Sequence, residues 1–245
     1  MPRHARMISG SGYLHVIVRG NGKQVLFEEA KDYRHYLEAL RRFSQETGVT
    51  VCAYCLMENH VHLLVKDEKG GIAMMMKKLG VSYSYYFNHT YDRTGHLFQD
   101  RFMSEAVEDD AYLLTVFRYI LKNPEKAGIC PAKDYAWSSY HAYGDHAAFA
   151  RPALLEEMIG SSEDYEAFMA VDEDADCMDY IPAIRDDEWA MKVIHRQLGE
   201  QGGTVLLNCS KNERDEAIRN LRKAGLTIRQ IERMTGIPKG VVQNA

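Results

Sequence analysis

His60 and His62 stand one residue apart in CLMENHVHLLV (55–65), inside an otherwise apolar run. On a β-strand alternate residues share a face, so both imidazoles and Leu64 project to one side and Val61, Leu63 and Val65 to the other. Two imidazoles ~6–7 Å apart along a strand can be steered onto one ion by its twist. Each could equally be a hydrogen-bonded core histidine, and a bare HxH recurs by chance, so metal chemistry needs a third ligand from elsewhere. The stretch FRYILKNP (117–124) offers one. Tyr119 and Asn123 are i and i+4, on one helical face. Asn123 has a carbonyl oxygen acceptable to Mg²⁺ or Mn²⁺. Tyr119 has a phenol, reference pKa about 10, which is a poor nucleophile until a cation or base helps remove its proton. Taken alone, the pair reads as a packed tyrosine and a helix end before proline, because the chain has 15 tyrosines. Tyr83, Tyr85, Tyr86 and Tyr91 suit either base stacking or helix packing.

The elements that must hold these residues follow from periodicity and turn signals. YLHVIVRG (13–20) reads as a strand ending at Gly20-Asn21-Gly22, and 28–48 as a helix stopped by Gly48. Strands at 49–56 and 60–66 form a hairpin across Glu58-Asn59. A helix over 72–91, a strand over 95–107 and a helix over 109–123, capped by Asp109 and stopped by Pro124, complete the set. The order strand–helix–strand–strand–helix–strand–helix predicts an α+β fold, an antiparallel sheet covered by helices.

Residues 1–145 form the expected main domain, followed by an acidic, helical connecting segment at 146–209 and a tail at 210–245. Ser210-x-x-Glu213 and Thr227-x-x-Gln230 match capping boxes, Gly225 and Gly236 mark helix ends, and Pro238 suits the start of a third helix. That spacing is helix-turn-helix-like, with few residues left for the third helix. The net charge of −5 is uneven. Residues 1–145 hold 18 Lys+Arg against 17 Asp+Glu, 146–210 hold 4 against 14, and 211–245 hold 8 against 4. The acidity is confined to the middle, so both ends remain able to approach phosphates.

Five scattered cysteines argue against a disulfide framework. Cys52 and Cys55 are i,i+3 in a strand, pointing to opposite faces, and read as core thiols rather than zinc ligands. The N-terminus lacks the apolar core of a secretory signal, and no stretch reaches the ~18–20 apolar residues of a membrane helix. The expected setting is cytoplasmic, with no membrane partner.

GYLHVIVRGNGKQVLF, AYCLMENHVHLLV, GHLFQDRF, FRYILKNPEKAGIC and DYAWSSYHAYG occur in an order and spacing that resemble the IS200-like, REP-associated tyrosine transposases, over about residues 8–145. These are HUH single-strand nucleases with a ferredoxin-like core. The resemblance implies that His60 and His62 bind a divalent metal, that Asn123 adds a ligand and that Tyr119 is the single catalytic tyrosine. It implies Mg²⁺ or Mn²⁺, although imidazoles alone would favour zinc. The implied activity is cleavage and joining of hairpin-bearing single-stranded DNA through a 5′-phosphotyrosine link. Arg19, Lys23, Arg101 and Arg118 are candidate phosphate contacts, while His15 and His96 are expected to be structural. Duplex DNA is a further expected partner through the tail, and the chain is expected to act as a monomer or homodimer. Two readings compete: a non-catalytic DNA-binding regulator using the helix-turn-helix tail and a hairpin-binding core, and a zinc-binding α+β protein with no DNA role.

Overall fold

The computed structural model describes residues 9–145, 147–150, 153–171, 177–178, 187–199, 206, 209–224 and 226–244. The chain divides into two compact units, Met1–Tyr180 and Ile181–Ala245.

The first unit is built on β1 (Tyr13–Arg19), β2 (Thr50–Met57), β3 (His60–Lys66) and β4 (Met103–Val107). They form one antiparallel sheet in the order β2-β3-β1-β4. With α1 (Ala30–Thr47) between β1 and β2 and α2 (Ile72–Thr90) between β3 and β4, this is the expected ferredoxin-like arrangement. Alternation sorts the strand residues onto two faces. Leu14, Val16 and Val18 of β1 and Val61, Leu63 and Val65 of β3 pack with Tyr36, Leu40 and Phe43 of α1 and Met75, Leu79 and Tyr83 of α2. Tyr13, Ala53, Cys55, Met57, Leu64 and Val107 meet Leu113, Val116, Phe117 and Ile120 of α3 (Asp110–Leu121). The histidine side of β3 is therefore the α3 side. Two further helices, α4 (Asn123–Lys126) and α5 (Ala153–Ile159), come next, and α5 and α6 (Ser162–Ala170) extend the α3 cluster through Leu155, Tyr165 and Met169.

Three local readings are corrected. The predicted strand over 95–107 is regular only from Met103, because the β1–β4 ladder ends at Ile17 opposite Met103. Residues 97–99 pair irregularly with the end of β1 instead, through Asn21 N–H to Leu97 O (2.8 Å), Gln99 N–H to Arg19 O (3.0 Å) and a bridge between Gly20 and Phe98. Pro124 does not simply stop a helix: α3 ends at Leu121, and the proline lies in the first turn of α4, where its missing N–H costs nothing. A bulge between Val51 and Ala53 shifts the β2 register, so Cys52 and Cys55 share one hydrophobic cluster rather than opposite faces. Burial pushes the Cys52 thiol up to about 12 and the Cys55 thiol higher still, as expected for core thiols.

The tyrosines of α2 resolve mainly as packing. Tyr83 O–H donates to Leu26 O (2.6 Å), and Tyr86 and Tyr91 donate to the two oxygens of Asp32 (2.8 and 2.7 Å). Tyr85 stays 76% exposed, stacked on His89. Asp32 is fully buried and also accepts the backbone N–H groups of Glu28 and Glu29, which starts α1. Burial pushes its pKa up, but the hydrogen bonds from Glu29, Tyr91, Tyr86 and Glu28 outweigh that and hold the carboxyl below its usual range. Its contribution is therefore complete above the unfolded aspartate value of about 3.9 and is lost as pH falls through the lower folded value. Asp32→Asn should cost about 2–4 kcal/mol at pH 7, because an amide cannot accept four donors as a carboxylate does. Urea titrations at pH 7 and pH 3 should show this gap narrowing in acid.

In the second unit, α7 (Asp187–Leu198), α8 (Lys211–Lys223), α9 (Ile228–Thr235) and α10 (Lys239–Asn244) surround Ala190, Ile194, Ile218, Leu221, Ile231, Ile237 and Val242. Both predicted capping boxes form, at Ser210/Glu213 and Thr227/Gln230. Gly236 ends α9 in the left-handed region (φ 73°), so residues 236–238 turn the chain into α10. The predicted helix end at Gly225 lies outside the described residues. No helix among the described residues is long and apolar enough to cross a membrane.

Candidate active site

β3 runs from His60 to Lys66, as predicted, and its register sets the site. His62 stands opposite Ile17 of β1 and Cys55 of β2, and His60 opposite Arg19 and Met57. His15, two residues before Ile17 on β1, is thus a diagonal neighbour of His62 on the same face, within reach of a long side chain. The rings of His15 and His62 stack at 5.3 Å, with His15 Nε2 and His62 Nδ1 3.1 Å apart. His60 and His62 meet edge to face at 5.0 Å.

Each β3 histidine has one nitrogen engaged. Asn59 Oδ1 lies 2.7 Å from His60 Nδ1. An amide oxygen can only accept, so His60 donates to it from Nδ1. His62 is fully buried, and its Nε2 has no hydrogen-bond partner. Burial, then the neighbouring His15 and His60, pushes its pKa well below the usual histidine value; burial alone takes His15 down to about 3. Both rings are therefore neutral near pH 7, the form that donates a lone pair.

α3 brings Tyr119 over this face. Its ring centroid lies 5.9 Å from that of His15 and 5.7 Å from that of His62, both edge on. Asn123 follows one turn later, buried, its amide N–H donating to Tyr119 O (2.9 Å). Lys126 Nζ sits over the Tyr119 ring, 4.5 Å from its centroid. Neither His15 nor Lys126 was singled out as functional from sequence: His15 needs the β1–β3 register to find its partner, and Lys126 needs the break between α3 and α4.

The cations distribute unevenly. Arg19 is half-buried across from His60, and Lys23 is exposed in the turn after β1. Arg101 is exposed and lines a cavity of about 900 Å³ between α2 and residues 95–102. None of His15, His60, His62 and Tyr119 lines that cavity. Arg118 is turned to α6, its guanidinium over the Phe168 ring (4.7 Å) and donating to Phe168 O.

A divalent ion fits this donor set in one respect that can be tested on the structure: a fully buried imidazole nitrogen, His62 Nε2, lacks a hydrogen-bond partner, two residues from His60 on the same face of β3. No three His, Cys, Asp or Glu side chains group around a single point among the described residues. A complete shell would therefore draw on the Asn123 amide oxygen and on oxygens of a ligand.

The sheet order and its two covering helices give a ferredoxin-like α+β fold, with the histidine strand facing the helix that carries Tyr119. Residues 9–123 match the family described as Transposase IS200 like. Among solved structures, the chain is similar to a REP-associated tyrosine transposase bound to a REP hairpin, at 17% identity and TM-score 0.50, covering 60% of this chain and 87% of that one. It is also similar to a candidate transposase of Deinococcus radiodurans R1, at 20% identity and TM-score 0.34, covering 49% of this chain and 95% of that one. No curated protein matches the chain.

Proposed function

We propose that this chain is a divalent-metal-dependent endonuclease and strand transferase acting on hairpin-bearing single-stranded DNA through a 5′-phosphotyrosine link. The observation that carries this reading is the placement of Tyr119 against His62, whose buried Nε2 has no partner. The hairpin bound by the REP-associated relative supports the same substrate class.

On this reading His60, His62 and Asn123 hold Mg²⁺ or Mn²⁺. When bound, the ion supplies positive charge that polarises the scissile phosphate. The Tyr119 oxygen forms a bond to phosphorus as the bond from phosphorus to the 3′-oxygen breaks. The phenol gives up its proton and the leaving 3′-oxygen gains one. One phosphodiester replaces another, so a second 3′-OH can reverse the step without an external energy source. The Lys126 ammonium, over the tyrosine ring, favours negative charge developing on the phenol oxygen. Arg19, Lys23 and Arg101 are the proposed phosphate contacts, and Arg118 serves here through its stacking on Phe168.

Hairpin single strands labelled at either end and incubated with Mn²⁺ or Mg²⁺ test the proposal. It expects a denaturation-resistant adduct that keeps the 3′ label, and release of the 5′-labelled piece with a free 3′-OH. Binding without any adduct, across a hairpin library, would favour the regulator instead. Lys126→Met should slow adduct formation about tenfold, ~1.4 kcal/mol in barrier, with hairpin affinity within about twofold, measured by single-turnover kinetics and gel shift.

We assign catalysis to residues 1–145, a linking role to 146–209 and duplex-DNA binding to the helix-turn-helix-like tail, 210–245. The three-residue turn between α9 and α10 supports the last assignment.

A further inference from the structure

We infer that His15 is a positioning residue for the proposed metal site: it accepts the Nδ1 proton of His62 and so holds the His62 Nε2 lone pair toward the ion. The inference rests on the functional reading above and deepens it.

The contact between His15 Nε2 and His62 Nδ1, 3.1 Å long, holds a single proton. If the proton belongs to His15, then His62 carries its own on Nε2, where it faces no acceptor and cannot ligate. If it belongs to His62, then His62 Nε2 is a lone pair and His15 carries its proton on Nδ1. Both outer nitrogens, His62 Nε2 and His15 Nδ1, are buried and without hydrogen-bond partners. A cation can satisfy His62 Nε2 only in the second arrangement, so metal binding at that nitrogen selects His15 as the acceptor.

The two proposed ligands then have matching supports. Asn59 Oδ1 takes the Nδ1 proton of His60 from the neighbouring position on the chain. His15 does the same for His62 from across the sheet, where it is fully buried and fixed by the β1–β3 register. Metal-ligating histidines generally donate their second N–H to an orienting acceptor, and losing that acceptor weakens metal binding about 10–100-fold.

Mn²⁺ titration of the full chain, followed by the electron paramagnetic resonance signal of free Mn²⁺, tests this without DNA or turnover. His15→Leu should bind Mn²⁺ at least about tenfold more weakly. His15→Gln, whose side-chain oxygen restores an acceptor near the Nε2 position, should stay within about threefold of wild type. Long-range ¹H–¹⁵N spectra of the wild-type chain should show His62 protonated on Nδ1 and not on Nε2, a readout that needs no variant to fold. Wild-type affinity in His15→Leu, a His15→Gln as weak as His15→Leu, or a His62 proton on Nε2 would overturn the inference. His62→Ala separates the two levels. If it weakens Mn²⁺ binding while His15→Leu does not, only the role of His15 falls; if it leaves binding intact, the metal reading falls and takes the inference with it.

Discussion

Tyr119→Phe chain should bind hairpin DNA as wild type does, form no covalent adduct and cleave at least about 10³-fold more slowly. The ring is 5% exposed and packed with Val116, Ile120 and Leu121, and its contacts with His15, His62 and Lys126 involve the ring itself. Phenylalanine keeps that ring, so stability should change by no more than about 1 kcal/mol. What is removed is one oxygen, the proposed nucleophile. The hydroxyls of Thr115 and Tyr112, one and two turns earlier on α3, are held by Ala111 O (2.9 Å) and Glu105 (2.8 Å) and are poor substitutes. Denaturing gels of labelled hairpins with wild-type and Tyr119→Phe chains settle the matter. Equal cleavage by both would mean that another group attacks phosphorus.

Replacing both His60 and His62 by alanine, or removing metal with EDTA, should also stop cleavage, by about 10³-fold or more, but with a different signature. EDTA treatment should be reversed by added Mn²⁺; the double variant should not respond. His60→Ala alone, which removes a half-buried ring, should recover part of its activity at raised Mn²⁺. His62→Ala should also lose about 1–3 kcal/mol of stability, since it empties a fully buried site and strands His15 Nε2. Calorimetric melting beside cleavage rates separates the two effects. Full cleavage by the double variant in EDTA would remove the metal from the mechanism.

Much of this site is legible along the chain because its parts are local. The alternation through His60–Lys66 predicts both the strand bounds and the shared face of the histidines, and i,i+4 spacing links Tyr119 to Asn123. His15 is hidden for the opposite reason. Within YLHVIVRG it is one polar residue on an alternating strand, and its partner is known only once β1 lies beside β3. The segment 95–102 misleads because GHLFQDRF has strand-like composition, yet β1 has run out of regular partners there. The single extra residue at Cys52 defeats face assignment by parity, since parity holds only without a bulge. The tyrosines of α2 look like a stacking surface until Asp32, more than fifty residues away, appears as the acceptor for two of them.

The hydrogen bond from the Asn123 amide to the Tyr119 carbonyl has a consequence for tolerance to motion. The proposed attacking residue, in the last turn of α3, and the proposed third ligand, the first residue of α4, are tied to each other across the junction, so their placement errors are correlated rather than independent. A drift of that junction against the sheet carries both together and preserves their spacing. What varies is one distance, junction to histidine strand, and a substrate phosphate seated between them would have only that one gap to close.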